Sequence, residues 1–359
     1  MKRLVIILVG LAIGLGLSWL VFRHTDWAAV RFAIDAADKG WVALSFGCVA
    51  IAAVTHVQRF AYVVRATEKA RWWSLFTITR IGELAQLSIP WRNAGMLVKA
   101  AALARIENIR VSKTFAMVAL DRVFDLAAML IVIGGALAFF PSNGDLVIPK
   151  EILGDQDNIV SGRAYMEGLA IGGTVLMVAT LASLVMLYVN QKMVLRASDA
   201  VLGHIAPRLA GHAHHMLVQF AEGLHVFRSP GDIAKIAFFN GACWLSMLCA
   251  HASILKAFDL EVSLGLVLLI QTMVAIALST PGLPGAVGSF HAMVVAAILV
   301  VMPNETKDTA MAVAIVDHII HFFYFGIIGS VCLAIEYPRL RGLRRDLKQV
   351  DVAIKEARG

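Results

Sequence analysis

The stretch Leu278–Gly288 reads LSTPGLPGAVG: two prolines and three glycines in eleven residues, with strongly apolar sequence on both sides. Proline removes a helical hydrogen bond, and glycine weakens a helix interior. Lipid tolerates broken backbone only where protein or a watery cavity satisfies its polar groups. The stretch therefore predicts two helical arms joined by a break that faces a cavity. Helix N-termini at such a break offer free N–H groups and partial positive charge to an anion, with Ser289 near the start of the second arm.

The surroundings are membrane-like. Of 359 residues, 59% are hydrophobic and 16% charged, whereas a soluble domain carries about 25% charged residues. A span needs about 20 apolar residues. Full spans are expected at 4–22, 41–64, 114–140, 164–190, 233–256 and 309–336. Two further apolar stretches are interrupted, 73–105 around SIPWRNAG and 263–302 around STPGLPGAVG. Each is expected to be a helical hairpin with its break at the tip. The run Leu4–Phe22 exceeds a signal-peptide core and is followed by no small-residue cleavage site, so it is read as a retained span.

Lysine and arginine orient the spans. Lys2 and Arg3, the loops 65–72, 105–113 and 191–232, and the tail 337–359 are rich in them and belong inside. Loop 141–163 carries four acids against Lys150 and Arg163 and belongs outside. In loop 23–40 the acids Asp26, Asp35 and Asp38 balance Arg23, Arg31 and Lys39, so it tolerates the outside. Both termini are then cytoplasmic. The basic tail is a cytoplasmic flank, and no nucleic-acid module accompanies it. Residues 204–228 alternate apolar and polar at helical spacing and predict an interfacial amphipathic helix. Its five histidines read as a polar face and not a metal site. The four cysteines stand apart in apolar segments, which points to neither disulfides nor metal ligands. No cofactor is expected.

A repeat is visible. LSIPWRNAGMLVKAAALA starts at Leu87, and LSTPGLPGAVGSFHAMVVAA starts at Leu278. Downstream come DRVFD, Asp121–Asp125, and DHIIH, Asp317–His321; ten residues upstream of the prolines stand Arg80 and Gln271. This predicts an all-α fold of two membrane repeats, 1–140 and 164–336. Each crosses three times, so the second is inverted relative to the first. Paired proline and glycine interruptions in two inverted halves point to a binding site between them.

Charged residues inside these segments mark the same place. A charge at the bilayer centre costs about 2.5 kcal/mol or more, so such side chains turn inward. Arg80 and Glu83 are one turn apart and placed to pair. Arg92 and Lys99 flank the first break and are read as ligand contacts. Asp121, Arg122 and Asp125, like Asp317 and His318, line a pathway or pin the halves together by ion pairs. With Pro281, Gly285, Gly288, Ser289 and His291 they complete the candidate substrate-binding set; no catalytic residue is assigned. His56, Gln58, Arg59, Asn240 and His251 are weaker signals, Arg59 being expected to snorkel to the cytoplasmic edge.

IPWRNAGMLVKAAALA, ALDRVFDLAAMLIV and STPGLPGAVGSFHAMVV together resemble the flippase-like family named for the transmembrane region of lysylphosphatidylglycerol synthase. Pro90, Arg92, Gly95, Lys99, Asp121, Arg122, Asp125, Pro281, Gly282 and Gly288 match its pattern, while Met96 and His291 stand where it has glutamates. The resemblance implies a polytopic inner-membrane protein tied to lipid translocation. The lipid would be an anionic phospholipid or a polyprenyl- or hopanoid-type lipid. The sequence shows no counterpart of the soluble aminoacyl-transferase domain that some members carry. Two other functions stay open. One is a non-catalytic partner of a lipid-modifying enzyme. The other is an intramembrane transferase or hydrolase using Asp121, Asp317, His291 or His318 as acid or base, for which no metal spacing, nucleophile motif or nucleotide loop speaks.

Overall fold

The computed structural model describes residues 25–89, 94–139, 190–205, 229–279 and 283–341, with isolated positions within 15–23 and 171–218. Nearly all of the expected spans 4–22 and 164–190 and of 204–228, and the segments 141–163 and 342–359, lie outside them. All regular structure among the described residues is helical.

Loop 23–40 contains a helix, α1 (Trp27–Ala36), followed by α2 (Lys39–Arg65). Asp26 and Asp38, read above as charge balance, are N-caps. Asp26 Oδ1 accepts from Ala28 N–H at 2.9 Å, and Asp38 Oδ1 accepts from Gly40 N–H at 2.7 Å. The first interrupted stretch forms α3 (Trp72–Ser88) and α4 (Ala94–Ile106), and the expected span after it is α5 (Val111–Phe139). A helix α6 (Gln191–Ile205) occupies part of the basic loop. Next comes α7 (Pro230–Ala257), capped by Ser229 with Pro230 in its first turn. The second interrupted stretch forms α8 (Leu264–Ser279), a 3-10 turn (Pro284–Ala286) and α9 (Ser289–Val301). The last helix is α10 (Lys307–Leu340). Both interruptions thus fall at the proline- and glycine-rich breaks.

Among the described residues, four stretches have the length and apolarity of membrane spans: Lys39–Arg65, Pro230–Ala257, Pro284–Val301 and Lys307–Leu340. Burial is distributed to match. Phe32, Ile131, Phe238, Leu245 and Ile327 are exposed, while Arg59, Arg80, Lys99, Asp121, His251 and Asp317 are buried. Apolar side chains turned outward and charges turned inward fit a multi-pass membrane protein.

Packing is crosswise. Helix α2 lies along α7, α3 packs on α10, and α8 packs on α5. Small residues allow the approach. A Cβ on Gly329 of α10 would stand 2.8 Å from the Arg80 carbonyl of α3, and one on Gly265 of α8 would stand 2.8 Å from the Phe139 carbonyl of α5. At one end Arg105 Nε donates to the Arg339 carbonyl at 2.9 Å, and buried Glu336 accepts from the Thr77 hydroxyl at 3.0 Å, tying α10 to α4 and α3.

Candidate functional site

Helical spacing aims the polar residues of the first half at one another. His56 and Arg59 are three apart on α2; Arg80, Glu83 and Gln86 are three apart on α3; Asp121 and Asp125 are four apart on α5. Each set therefore shares one helix face. Lys99 enters from α4.

Asp121 is the hub. Arg59 Nε and Nη2 reach its Oδ1 at 3.0 and 2.8 Å, Lys99 Nζ reaches Oδ2 at 2.9 Å, and His56 Nε2 lies 3.4 Å from Oδ2. Arg59 Nη1 also donates to Asp125 Oδ1 at 2.6 Å and to the Asn240 side chain of α7. Arg80 pairs with Glu83 at 2.7 Å, and Glu83 meets His56 Nδ1 at 3.3 Å. The ammonium of Lys99 sits 3.6 Å over the Phe60 ring. Arg122 contacts Asp125 and Gln86, each at 3.4 Å. The cluster is closed at one side and open at the other: side-chain exposure is 2% at Asp121, 24% at Asp125 and 40% at Arg122. Arg59 is wholly buried. It does not snorkel to an edge, because two carboxylates on α5 hold its guanidinium inside.

The second break carries its own polar group. Gly285 and Gly288 have φ of +73° and +85°, backbone that glycine adopts without strain. A Cβ on Gly288 would also meet the Ser18 hydroxyl. The Gly285 carbonyl accepts from His318 Nε2 at 2.8 Å, and Ser289 Oγ donates to the Ala286 carbonyl at 3.1 Å. Of the N–H groups expected to await an anion, that of Gly288 is taken by His291 Nδ1 at 3.4 Å. The His291 and His318 rings stand edge to face at 4.8 Å. Behind them Asp317 Oδ2 lies 2.9 Å from His251 Nδ1, and His251 Nε2 lies 3.1 Å from Gln271 Oε1. The turn touches α3: a Cβ on Gly285 would stand 3.9 Å from Leu87 Cδ1.

Of the candidates read from sequence, Arg80, Glu83, Lys99, Asp121, Arg122 and Asp125 meet in one cluster. Gly285, Gly288, Ser289, His291, Asp317 and His318 gather at the second break. Arg92 and Pro281 lie outside the described residues. No group of three or more metal-ligating side chains suited to a metal ion occurs among the described residues.

Residues 7–329 match the family described as the lysylphosphatidylglycerol synthase TM region. The chain belongs to this family. Neither the curated proteins nor the solved structures yield a match. Within this family member, Arg59, His56, Asn240 and His251 prove central to the two polar groups, although each reads as an isolated polar residue in sequence. The three-residue spacing of His56 and Arg59 was the available sign of a shared face. Gln86, three residues past Glu83, carried the same sign.

Proposed function

We propose that the chain translocates an anionic lipid, or a lipid-linked intermediate, across the cell inner membrane. The observation that carries this reading is a surplus of positive charge in the first cluster. Four basic side chains, Arg59, Arg80, Lys99 and Arg122, meet three carboxylates, Glu83, Asp121 and Asp125. The most exposed of the four cations is Arg122, and its contacts are long. A guanidinium in that position can turn to a lipid phosphate and hold it with two parallel hydrogen bonds.

The reading takes 1–140 and 164–336 as inverted repeats joined by an extracytoplasmic loop, 141–163, and followed by a cytoplasmic tail, 337–359. It takes the broken hairpins as re-entrant. The crosswise packing supports it: one two-fold axis in the membrane plane would exchange α3 with α8 and α10 with α5, and α2 with α7. Alternating exposure of a site between such halves is the expected route for the lipid. A reporter active only outside the cytoplasm, fused after Gly359, should stay silent; activity would contradict the assigned orientation.

Transport itself is tested in proteoliposomes of phosphatidylcholine with a minor fraction of tail-labelled phosphatidylglycerol, whose exposure to an impermeant quencher is followed in time. The expected result is faster loss of the protected label than in protein-free vesicles, and a smaller effect with labelled phosphatidylcholine. Equal rates for the two lipids would remove the anion site from the account. Chemical conversion of the label would favour a transferase.

A further inference from the structure

The second polar group is balanced differently from the first. Asp317 is buried in α10, and the partners of its carboxylate among the described residues are histidines. His251 Nδ1 of α7 lies 2.9 Å from Oδ2, and His321 Nδ1 lies 3.3 Å from Oδ1. The two imidazole rings stack at 5.6 Å. A buried carboxylate with no cation is strongly unfavourable at membrane depth. One imidazole must carry a proton for the triad to be neutral.

His251 is placed to carry it. Nδ1 faces a carboxylate oxygen and Nε2 faces Gln271 Oε1 at 3.1 Å. Both oxygens accept, so this orientation of Gln271 suits a ring with hydrogen on both nitrogens. Turned over, the Gln271 amide offers its NH2 to Nε2 and satisfies a neutral ring equally well. One residue thus serves both charge states. His321 offers a second place for a proton. Its Nδ1 lies 2.8 Å from the Asp317 carbonyl, so Nδ1 holds the hydrogen and Nε2 the lone pair. Nε2 is buried with no hydrogen-bond partner among the described residues. Phe290 and Phe325 stand around the ring, each at 6.3 Å.

The helices packed against α10 contribute these groups. From α9 comes His291; from the turn of α10 itself, half-buried His318. From α3 come Arg80, 5.7 Å over the Phe325 ring, and Glu83, which pairs with it. Helix α2 presents Phe46, 5.9 Å from the Tyr324 ring of α10, and α8, packed on α9 and α7, presents Gln271. Asp26 before α1 meets Asp308, and Arg105 of α4 meets Arg339, both far along α10. Permanent charge therefore approaches the triad through Arg80, which Phe325 separates from it.

We infer that His251, Asp317 and His321 form a proton-binding site, and that proton binding and release there drives the lipid movement proposed above, on which this inference rests. The proton adds to a ring nitrogen and leaves from it; no other bond changes. Phe325 lies under Arg80 and against His321, so a charge change in the triad is felt by the Arg80–Glu83 pair of the anion site. The first cluster holds four basic side chains and one imidazole, His56, against three carboxylates, whereas the second holds a carboxylate faced, among the described residues, by imidazoles alone.

The test uses the full chain in proteoliposomes of phosphatidylcholine and tail-labelled phosphatidylglycerol, with a pH dye trapped inside and the membrane potential clamped. With one proton per lipid, a gradient of one pH unit should displace the steady-state distribution of the label by up to about tenfold. Proton flux should accompany it. Asp317→Asn and His251→Gln should abolish both gradient responses while the protein remains monodisperse. Lipid movement that ignores the gradient and carries no proton flux would overturn the inference and leave translocation standing. If no lipid moves, the translocation reading fails. The site is then judged by 15N spectra of histidine-labelled protein in detergent. An imidazole titrating between about pH 4 and 9 and lost in His251→Gln sustains a proton site; a wild type without one overturns it.

Discussion

Arg59 shows how one side chain is committed to structure while Arg122, in the same cluster, stays partly exposed. Its guanidinium is wholly buried and holds both Asp121 and Asp125. Removing one partner of a buried ion pair costs about 3–5 kcal/mol, because the other charge stays behind unpaired. Arg59→Ala should therefore deplete folded protein in the membrane, as read by fluorescence-detected size exclusion, and adding Asp121→Asn should restore part of it. Full expression of Arg59→Ala alone would show that the network is not structural. Arg59→Lys should rescue poorly, since an ammonium lacks the fork that spans two carboxylates. The sequence did not disclose this role. Arg59 lies six residues before the end of α2 at Arg65, or about 9 Å at 1.5 Å per residue, close enough to an edge for snorkelling. The partners that hold it inside are on α5, more than sixty residues away, and distant partners leave no local sign. Asp121, Arg122 and Asp125 were legible because three ionisable groups in an apolar segment have few other uses.

At the scale of elements, the breaks were legible and the close approach between their arms was not. Proline and glycine end α3 at Ser88 and α8 at Ser279, where the chemistry of the backbone requires it. The arms α3 and α4, however, meet at Gly82 and Gly95. A Cβ on Gly95 would stand 2.6 Å from the Gly82 carbonyl, and one on Gly82 would stand 2.9 Å from Lys99 Cβ. Backbone cannot retreat from such a contact as a flexible side chain can. Gly95→Val should push the arms apart and shift Lys99 away from Asp121, at a cost of about 1–3 kcal/mol for overpacking. The expected readout is a lower melting temperature together with reduced lipid movement per folded molecule. An unchanged melting temperature would mean that the arms are free to separate. Helix α1 was missed for a different reason: Asp26 and Asp38 were weighed for charge when their position before helical residues made them caps.

At the scale of the whole molecule, α3 of the first broken hairpin packs against α10, and α8 of the second packs against α5. The sequence pointed to a repeat through spacing alone, but these packings join helices far apart in the chain, a pairing that no local pattern encodes. The pairing places the second break against Leu87, at the end of α3, beside the first cluster. Under the proposed function, a lipid phosphate drawn to the surplus cation there would lie close to the second break. The central claim is that this surplus positive charge, not the bundle alone, moves the lipid. Arg122 is its accessible bearer, and at 40% side-chain exposure its loss should leave folding nearly intact. The most direct measurement compares phosphatidylglycerol movement per folded molecule in wild type, Arg122→Gln and Arg122→Glu under one ionic strength. The account predicts a stepwise fall as the cluster passes from a surplus cation to balance and then to a surplus carboxylate, with the Glu variant at the protein-free rate. Wild-type rates in Arg122→Glu would contradict it.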